Sequence, residues 1–398
     1  MAARHEPAVA ALVGWATGMA LPFWATAGFD FQQGRFEERL TLHGERLADV
    51  PLRLMSQARQ IHTYALAARR GWYPDAAARL VEQAYASMVR DYHGRDDRGG
   101  WIFSIRRDGT VADPCRDLYS HAFVLLAIAS YVEATGKRQA LALADETLAF
   151  IERRMTAPQG GGFVEQLPSS GGARRQNPHM HLFEALLALW ECSGEARYLA
   201  LAGRLFDLFT ARFFQPDPGI VGEYFTTGLA PAEGLAGKLV EPGHHYEWIW
   251  LLRRFERAGR RPVRRYVDAL YAHADRYGFD EAGLIVDELL IDGSHHKRSR
   301  RIWPIAEAIK ANIVEAQRGR AGSSAKAAAL AVLLRERFLA ADPAGGWFDK
   351  LDADGTCLSR FMPASTFYHL IGAIDELDRL VLSASDVQPA GAEPVQGR

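Results

Sequence analysis

The sequence predicts an all-α chain: an (α/α)6 barrel of twelve helices with short Gly-rich β-hairpin loops at one end. Two observations lead there. Gly-rich, aromatic-containing stretches recur at a near-constant spacing, and the chain between them divides into pairs of apolar-periodic segments. The stretches are GRFEERLTLHGE from 34, GGWIFSIRRDGT from 99, GGFVEQL from 161, GIVGEYF from 219, GLIVDELLIDG from 283 and GGWFDKLDADGT from 345. Successive starts are 65, 62, 58, 64 and 62 residues apart. Regular spacing along a whole chain marks a repeat architecture rather than separate domains. β-Formers beside Asp-Gly turns make each stretch a short hairpin or loop.

The first helix is the N-terminal segment. No charged residue occurs from Pro7 to Phe29, and Ala25-Thr26-Ala27 mimics a signal-peptidase site. Against cleavage or anchoring, Arg4 is the whole basic n-region, and Gly14, Gly18 and Pro22 interrupt the apolar run. Cleavage after residue 27 would also remove one helix from the ring, so retention in the cytoplasm is expected. The even-numbered helices start near 52, 117, 178, 243, 303 and 364. Helical periodicity and Ala/Leu/Arg/Glu content place their partners over 74–92, 138–155, 197–214 and 325–341, among others. Six such hairpins bury their apolar faces by closing on themselves, with an open solenoid as the alternative. Residues 1–385 form a single catalytic domain on this reading, and 386–398 a flexible C-terminal tail.

Composition narrows the function. The 398 residues are 48% hydrophobic with a formal net charge of −1, which argues against nucleic acid and membrane surfaces as partners. Cys115, Cys192 and Cys357 lie far apart with no CxxC, as suits a reducing compartment. No phosphate-cradling glycine motif and no GxSxG occurs, so no cofactor is called for. The outer helices offer a surface for a homodimer, without a marker that specifies one.

The starts of the even helices carry the unusual chemistry. They hold Arg59; Asp117, Tyr119 and His121; Asn177, His181 and Glu184; His244 and Glu247; Trp303 and Glu307; and Ser365, Tyr368 and His369. If these helices are parallel and inner, their starts meet at one end. Seven of the thirteen histidines fall there: His62, His121, His179, His181, His244, His245 and His369. A shared polar pocket accounts for them together. His244 and Glu247, like His181 and Glu184, stand at i and i+3 and share a helix face. A carboxylate-held imidazole suits proton transfer near neutral pH. His245 is turned about 100° from His244, and His179 about 200° from His181. The HMH and HH strings therefore do not converge as metal ligands, and no metal is expected. Trp303 is the indole placed to stack on a sugar; Trp72, Trp101, Trp248, Trp250 and Trp347 belong to the core. HHKRSRR at 295–301 reads first as a solvated loop, and second as an anion site beside the tenth helix.

The strings RRQNPHMHLFEALLALWE, EPGHHYEWIWLL, DLYSHAF, RIWPIAEAIKA and FYHL resemble the N-acylglucosamine 2-epimerase family, from about Leu21 to Leu377. That family includes N-acylglucosamine 2-epimerases, cellobiose 2-epimerases, and mannose and sulfoquinovose aldose–ketose isomerases. The resemblance implies an (α/α)6 barrel. It implies that His244 and His369 are an acid/base pair flanking a monosaccharide. It implies that His181, with Asn177, helps open the ring, and that Arg59, Tyr119, Glu184, Glu247 and Trp303 hold the substrate. This chain departs from the pattern at His245 and at Ser365, where some isomerases carry larger polar groups. The identity of the sugar stays open.

The expected chemistry is interconversion of an aldose and a ketose of the mannose/fructose type on a free sugar, by removal of the C2 proton through an enediolate. A sugar 2-epimerase is the close alternative, since a proton returned to C2 from the opposite face gives the epimer. Two further alternatives are a glycoside hydrolase using Asp117, Glu247 or Glu307, and a non-catalytic sugar-binding protein.

Overall fold

The computed structural model describes residues 6–169, 171–259 and 261–385. The expected tail, 386–398, lies outside them. Helix α1 is composite: Glu6–Trp15, a π-turn Ala16–Ala20, then Leu21–Thr26. The other helices are α2 (Leu54–Arg70), α3 (Pro74–Tyr92), α4 (Leu118–Thr135), α5 (Leu141–Phe150), α6 (Asn177–Ser193) and α7 (Ala196–Leu208). They continue with α8 (Pro242–Gly259), α9 (Arg264–Tyr277), α10 (Ile302–Gln317), α11 (Ser323–Phe338) and α12 (Phe367–Ser385). The even helices touch in the order α2, α4, α6, α8, α10, α12, and α12 returns to α2. The ring is closed, so the open solenoid is excluded.

Sequence decides which helix is inside. Helix α4 is apolar all round (LYSHAFVLLAIASYV) and is buried on every face, as a helix surrounded by others must be. Helix α3 carries its apolar residues on one stripe and packs outside, against α2 and α4. Two helical stretches, Pro7–Thr26 and Leu118–Thr135, are long and apolar enough to cross a membrane by length and composition. In this fold both are ring members. Helix α1 packs against α11 and α12, and its Trp24 stacks on Trp347 of the last hairpin at 5.0 Å.

The hairpins lock the helix starts together. The strand entering each inner helix pairs antiparallel with a strand of the following hairpin. Leu52–Arg53 takes Ser104–Ile105, and Arg116–Asp117 takes Gln166–Leu167. Arg174–Arg175 takes Tyr224–Phe225, Leu239–Val240 takes Glu288–Leu290, and Arg300–Arg301 takes Lys350–Leu351. The sixth pair joins Phe361–Pro363 of the last repeat to Arg39–Thr41 of the first.

A hairpin carboxylate adds a second tie. Backbone N–H groups at a helix start need acceptors from outside the helix. Glu38 accepts from the Arg53 N–H (2.9 Å), Glu165 from Arg175 (2.8 Å), Glu223 from Glu241 (3.3 Å) and Asp287 from Arg301 (2.8 Å). Each caps the entry to an inner helix from the hairpin that lies over it.

Candidate active site

Six inner helices begin at the hairpin end, and their first turns supply the site. His244, in the first turn of α8, has its Nδ1 3.0 Å from both carboxylate oxygens of Glu223 and its Nε2 3.2 Å from the Asn177 side-chain nitrogen. His369, in the first turn of α12, has its Nδ1 2.7 Å from Glu307. The other Glu307 oxygen lies 2.7 Å from Lys310 Nζ. His181 donates through Nδ1 to Glu184 (2.9 Å), which also accepts from the Tyr368 hydroxyl (2.5 Å). All three imidazoles are buried.

Trp303 joins the two outer members of this set. Its ring centroid is 5.0 Å from that of His244 and 5.6 Å from that of His369. The indole packs against the start of α8 at Gly243, where a Cβ would stand 2.6 Å from the ring. The glycine of EPGHH is therefore required by the approach of Trp303. A cavity of about 730 Å3 opens in front of the group; Arg59, Trp303, Ser365 and His369 line it. Arg59 donates to the Tyr119 hydroxyl (2.6 Å) and to the Ser365 carbonyl (3.1 Å), and lies over the Phe123 ring at 4.2 Å.

The environments push the protonation of the two flanking imidazoles apart. Burial disfavours charge on His244, but the Glu223 and Glu241 carboxylates outweigh it and hold its pKa up at about 9. Burial takes His369 well below the usual value, and Arg59 and Lys310 add to the effect. At neutral pH the first is an imidazolium and the second a neutral imidazole. With a proton on His244 Nε2, a half-turn of the Asn177 amide presents its Oδ1, which now has no partner. Burial, followed by the charge of Glu307, lifts Glu247 well above the carboxylate range, so it is held as a neutral carboxyl. Burial likewise brings His181 down to about 4.

Two expectations need correction. His244 and Glu247 share a face but do not pair: the carboxylate on His244 is Glu223, and Glu247 instead approaches His181 Nε2 at 3.8 Å. Helix spacing permitted the pair; Glu223, anchored by the hairpin, fills the position. Nor do the seven histidines share one pocket. His121, His179 and His245 turn away and accept through Nε2 from the backbone N–H groups of Trp101 (3.2 Å), Phe163 (3.0 Å) and Val221 (3.1 Å). Each thus holds a Gly-rich hairpin. At Gly162 a Cβ would meet His179 Nε2 at 2.7 Å, and φ is +66°, so this GGF glycine is needed twice over. His62 faces the opposite end of the ring, with its Nδ1 2.7 Å from the Ser130 hydroxyl. Asp117 caps α4 by accepting from the Ser120 N–H (2.7 Å) and hydroxyl, so it is not free as a hydrolytic carboxylate. Of HHKRSRR, Arg301 reaches the cavity wall while Arg300 is ion-paired to Asp280.

Three groups have donor atoms close enough to hold a cation: His181 with Glu184 and Glu247; Glu223 with Glu241 and His244; Glu247 with Glu307 and His369. In each, the imidazole Nδ1 is already taken by a carboxylate, and Lys310 neutralises Glu307.

The model for N-acylglucosamine 2-epimerase matches residues 34–373. A mannose-6-phosphate isomerase of Rhizobium meliloti (strain 1021) is 36% identical over 92% of this chain and 96% of its own. A D-mannose isomerase of Thermobifida fusca is 33% identical over 65% of this chain and 67% of its own. The solved cellobiose 2-epimerase of Spirochaeta thermophila DSM 6192 superposes with a TM-score of 0.82 at 24% identity, covering 96% and 98% of the two chains. That likeness shows the fold. The match over most of the chain shows an enzyme of sugar isomerase and epimerase chemistry, and the chain belongs to the N-acylglucosamine 2-epimerase family.

Proposed function

We propose that the chain is an aldose–ketose isomerase of the mannose/fructose type. One observation carries the reading: two imidazoles beside the same indole, one favouring the proton and one refusing it. Separated pKa values assign acid and base. His369 removes the C2 proton of the opened aldose, and the C–H electrons move to the carbonyl oxygen as the enediolate forms. Arg59 and the neutral Glu247 carboxyl offer hydrogen bonds to that charge. The O2 hydroxyl proton passes to O1, so that C2=O forms as His369 returns the carbon-bound proton to C1, giving the ketose. His244, protonated and held by Glu223, supplies a proton to the ring oxygen during ring opening, while neutral His181, with Asn177 beside it, takes the proton of the anomeric hydroxyl. Tyr119 keeps Arg59 in place, Glu184 fixes the His181 tautomer, and Trp303 forms the wall against which the sugar rests.

The second reading is a 2-epimerase, in which His244 returns the proton to C2 from the opposite face. The same observation supports it, because His244 is a proton donor at neutral pH. Incubation with mannose in D2O, followed by NMR, distinguishes the two. Fructose with little deuterium at C1 is the expected result. A deuterated C2 epimer indicates the second reading, and no conversion of any aldose defeats both.

A further inference from the structure

The cavity in front of His369 carries a charge that the isomerisation does not need. Four guanidinium groups line it: Arg39, Arg53, Arg59 and Arg301. Arg53 is paired with Glu38, its Nε 2.7 Å from the carboxylate. Arg301 is paired with Glu241 at 2.6 Å and Asp287 at 3.0 Å. Arg59 is bound to Tyr119 and Ser365, as described above. Arg39 differs from all three. Among the described residues its guanidinium has neither a hydrogen bond nor an ion pair; its Nε, like that of Arg59, is buried without a partner. Its guanidinium lies 4.1 Å over the Phe361 ring.

Arg39 is half-buried, and its one buried donor, Nε, lacks an acceptor, which is costly. A planar guanidinium stacked on an aromatic ring is already ordered for two-point contact with a phosphate or carboxylate. The backbone beneath is fixed as well, because Arg39 pairs with Pro363 in the strand ladder that leads to Ser365 and His369. The acidic residues on the same wall are occupied. Asp349 accepts from the Thr366 hydroxyl (2.6 Å) and Asp113 from the Cys115 N–H (2.9 Å). Burial also raises the Asp349 carboxyl above its usual range. The unmet demand in this cavity is for an anion.

We propose that Arg39 receives a phosphate carried by the substrate, so that the enzyme prefers a sugar phosphate to the free hexose. The proposal rests on the reading that this cavity takes an aldose. A phosphorylated sugar would place its reacting end at His369 and its phosphate against the Arg39–Phe361 wall, within one cavity. Arg39 is then a specificity-determining residue that takes no part in the proton transfer.

Calorimetric titration of the full chain with mannose, mannose 6-phosphate and inorganic phosphate tests this without relying on turnover. Mannose 6-phosphate should bind at least tenfold more tightly than mannose, and inorganic phosphate should compete with it. In Arg39→Met that preference should fall by about 10–100-fold, the usual worth of charge-assisted hydrogen bonds to one guanidinium. If the Met variant does not fold, Arg39→Gln carries the same readout. Equal affinity for the two sugars in the wild type overturns the proposal. So does a preference that survives the loss of Arg39. If no aldose is turned over, the isomerase reading fails, while the titration still decides the anion site.

Discussion

Two sets of three histidines begin the inner helices of this ring, and chemically they are opposites. His181, His244 and His369 each give Nδ1 to a carboxylate. His121, His179 and His245 each accept a backbone N–H through Nε2. Both sets are buried, and both arise in the first turns of α4, α6, α8 and α12. The partner, not the burial, sets the role. A carboxylate on Nδ1 fixes the ring and leaves Nε2 for the site, as proton transfer requires. A backbone N–H on Nε2 consumes that nitrogen and converts the imidazole into a strut for a hairpin.

The largest effect expected from this contrast is on turnover. His369→Ala and His244→Ala should each lower kcat by at least ~10²-fold in a steady-state assay, while thermal unfolding stays near the wild type. Near-normal turnover in either would end the assignment of the pair. Next, Glu223→Gln removes the charge that favours the His244 proton while keeping an acceptor. Activity dependent on imidazolium is lost as pH rises through about 9 in the wild type. In the variant that alkaline limb should move down toward the ordinary histidine range, with a drop of roughly tenfold at pH 8. An unmoved limb would show that His244 is not the titrating acid.

The struts should respond in the other currency. His179→Ala leaves the Phe163 N–H buried without an acceptor, and should cost about 1–3 kcal/mol in urea unfolding with kcat little changed. A large loss of turnover at unchanged stability would erase the distinction between the sets. The smallest effect is in pH dependence. His121 and His179 have folded pKa values of about 4 and about 3, below the roughly 6.5 of an unfolded histidine. Between those limits the unfolded chain takes up protons that the folded chain refuses. Their contribution is therefore complete above pH ~6.5 and lost as pH falls toward 4. His121→Gln should reduce the slope of stability against pH over that interval by about 1 kcal/mol per unit. His62 and His181 titrate in the same direction and remain in both proteins.

Much of this was legible in the sequence, because periodicity is a local signal. The hairpin spacing yielded six repeats, and the segment 74–92 coincides with α3. The angular argument turned His179 away from His181, and His245 from His244, but all seven histidines still read as one pocket, and nothing in the sequence marked His121, His179 and His245 as struts. What it could not reveal was who receives each imidazole. Glu223 stands 21 positions before His244 and belongs to a different element. A signal was present nonetheless: five of the six Gly-rich stretches carry an acidic residue within two positions after an aromatic or apolar residue, namely Glu37/Glu38, Glu165, Glu223, Asp287 and Asp349. Glu223 is the member of that series that reaches past its helix cap to a ring nitrogen. Lys310 escaped notice because a lysine inside a helix reads as solvent-facing until the helix is known to be surrounded.

The ladder between Phe361–Pro363 and Arg39–Thr41 gives the molecule a clasp. A necklace of repeats with free ends can fray from either tip while its middle stays intact. Here both tips are buckled together, and the buckle sits at the mouth of the cavity, with Arg39 on one side and His369 on the other. Undoing it would disable the chemistry before any helix melts, so loss of activity on gentle heating should precede loss of helical signal.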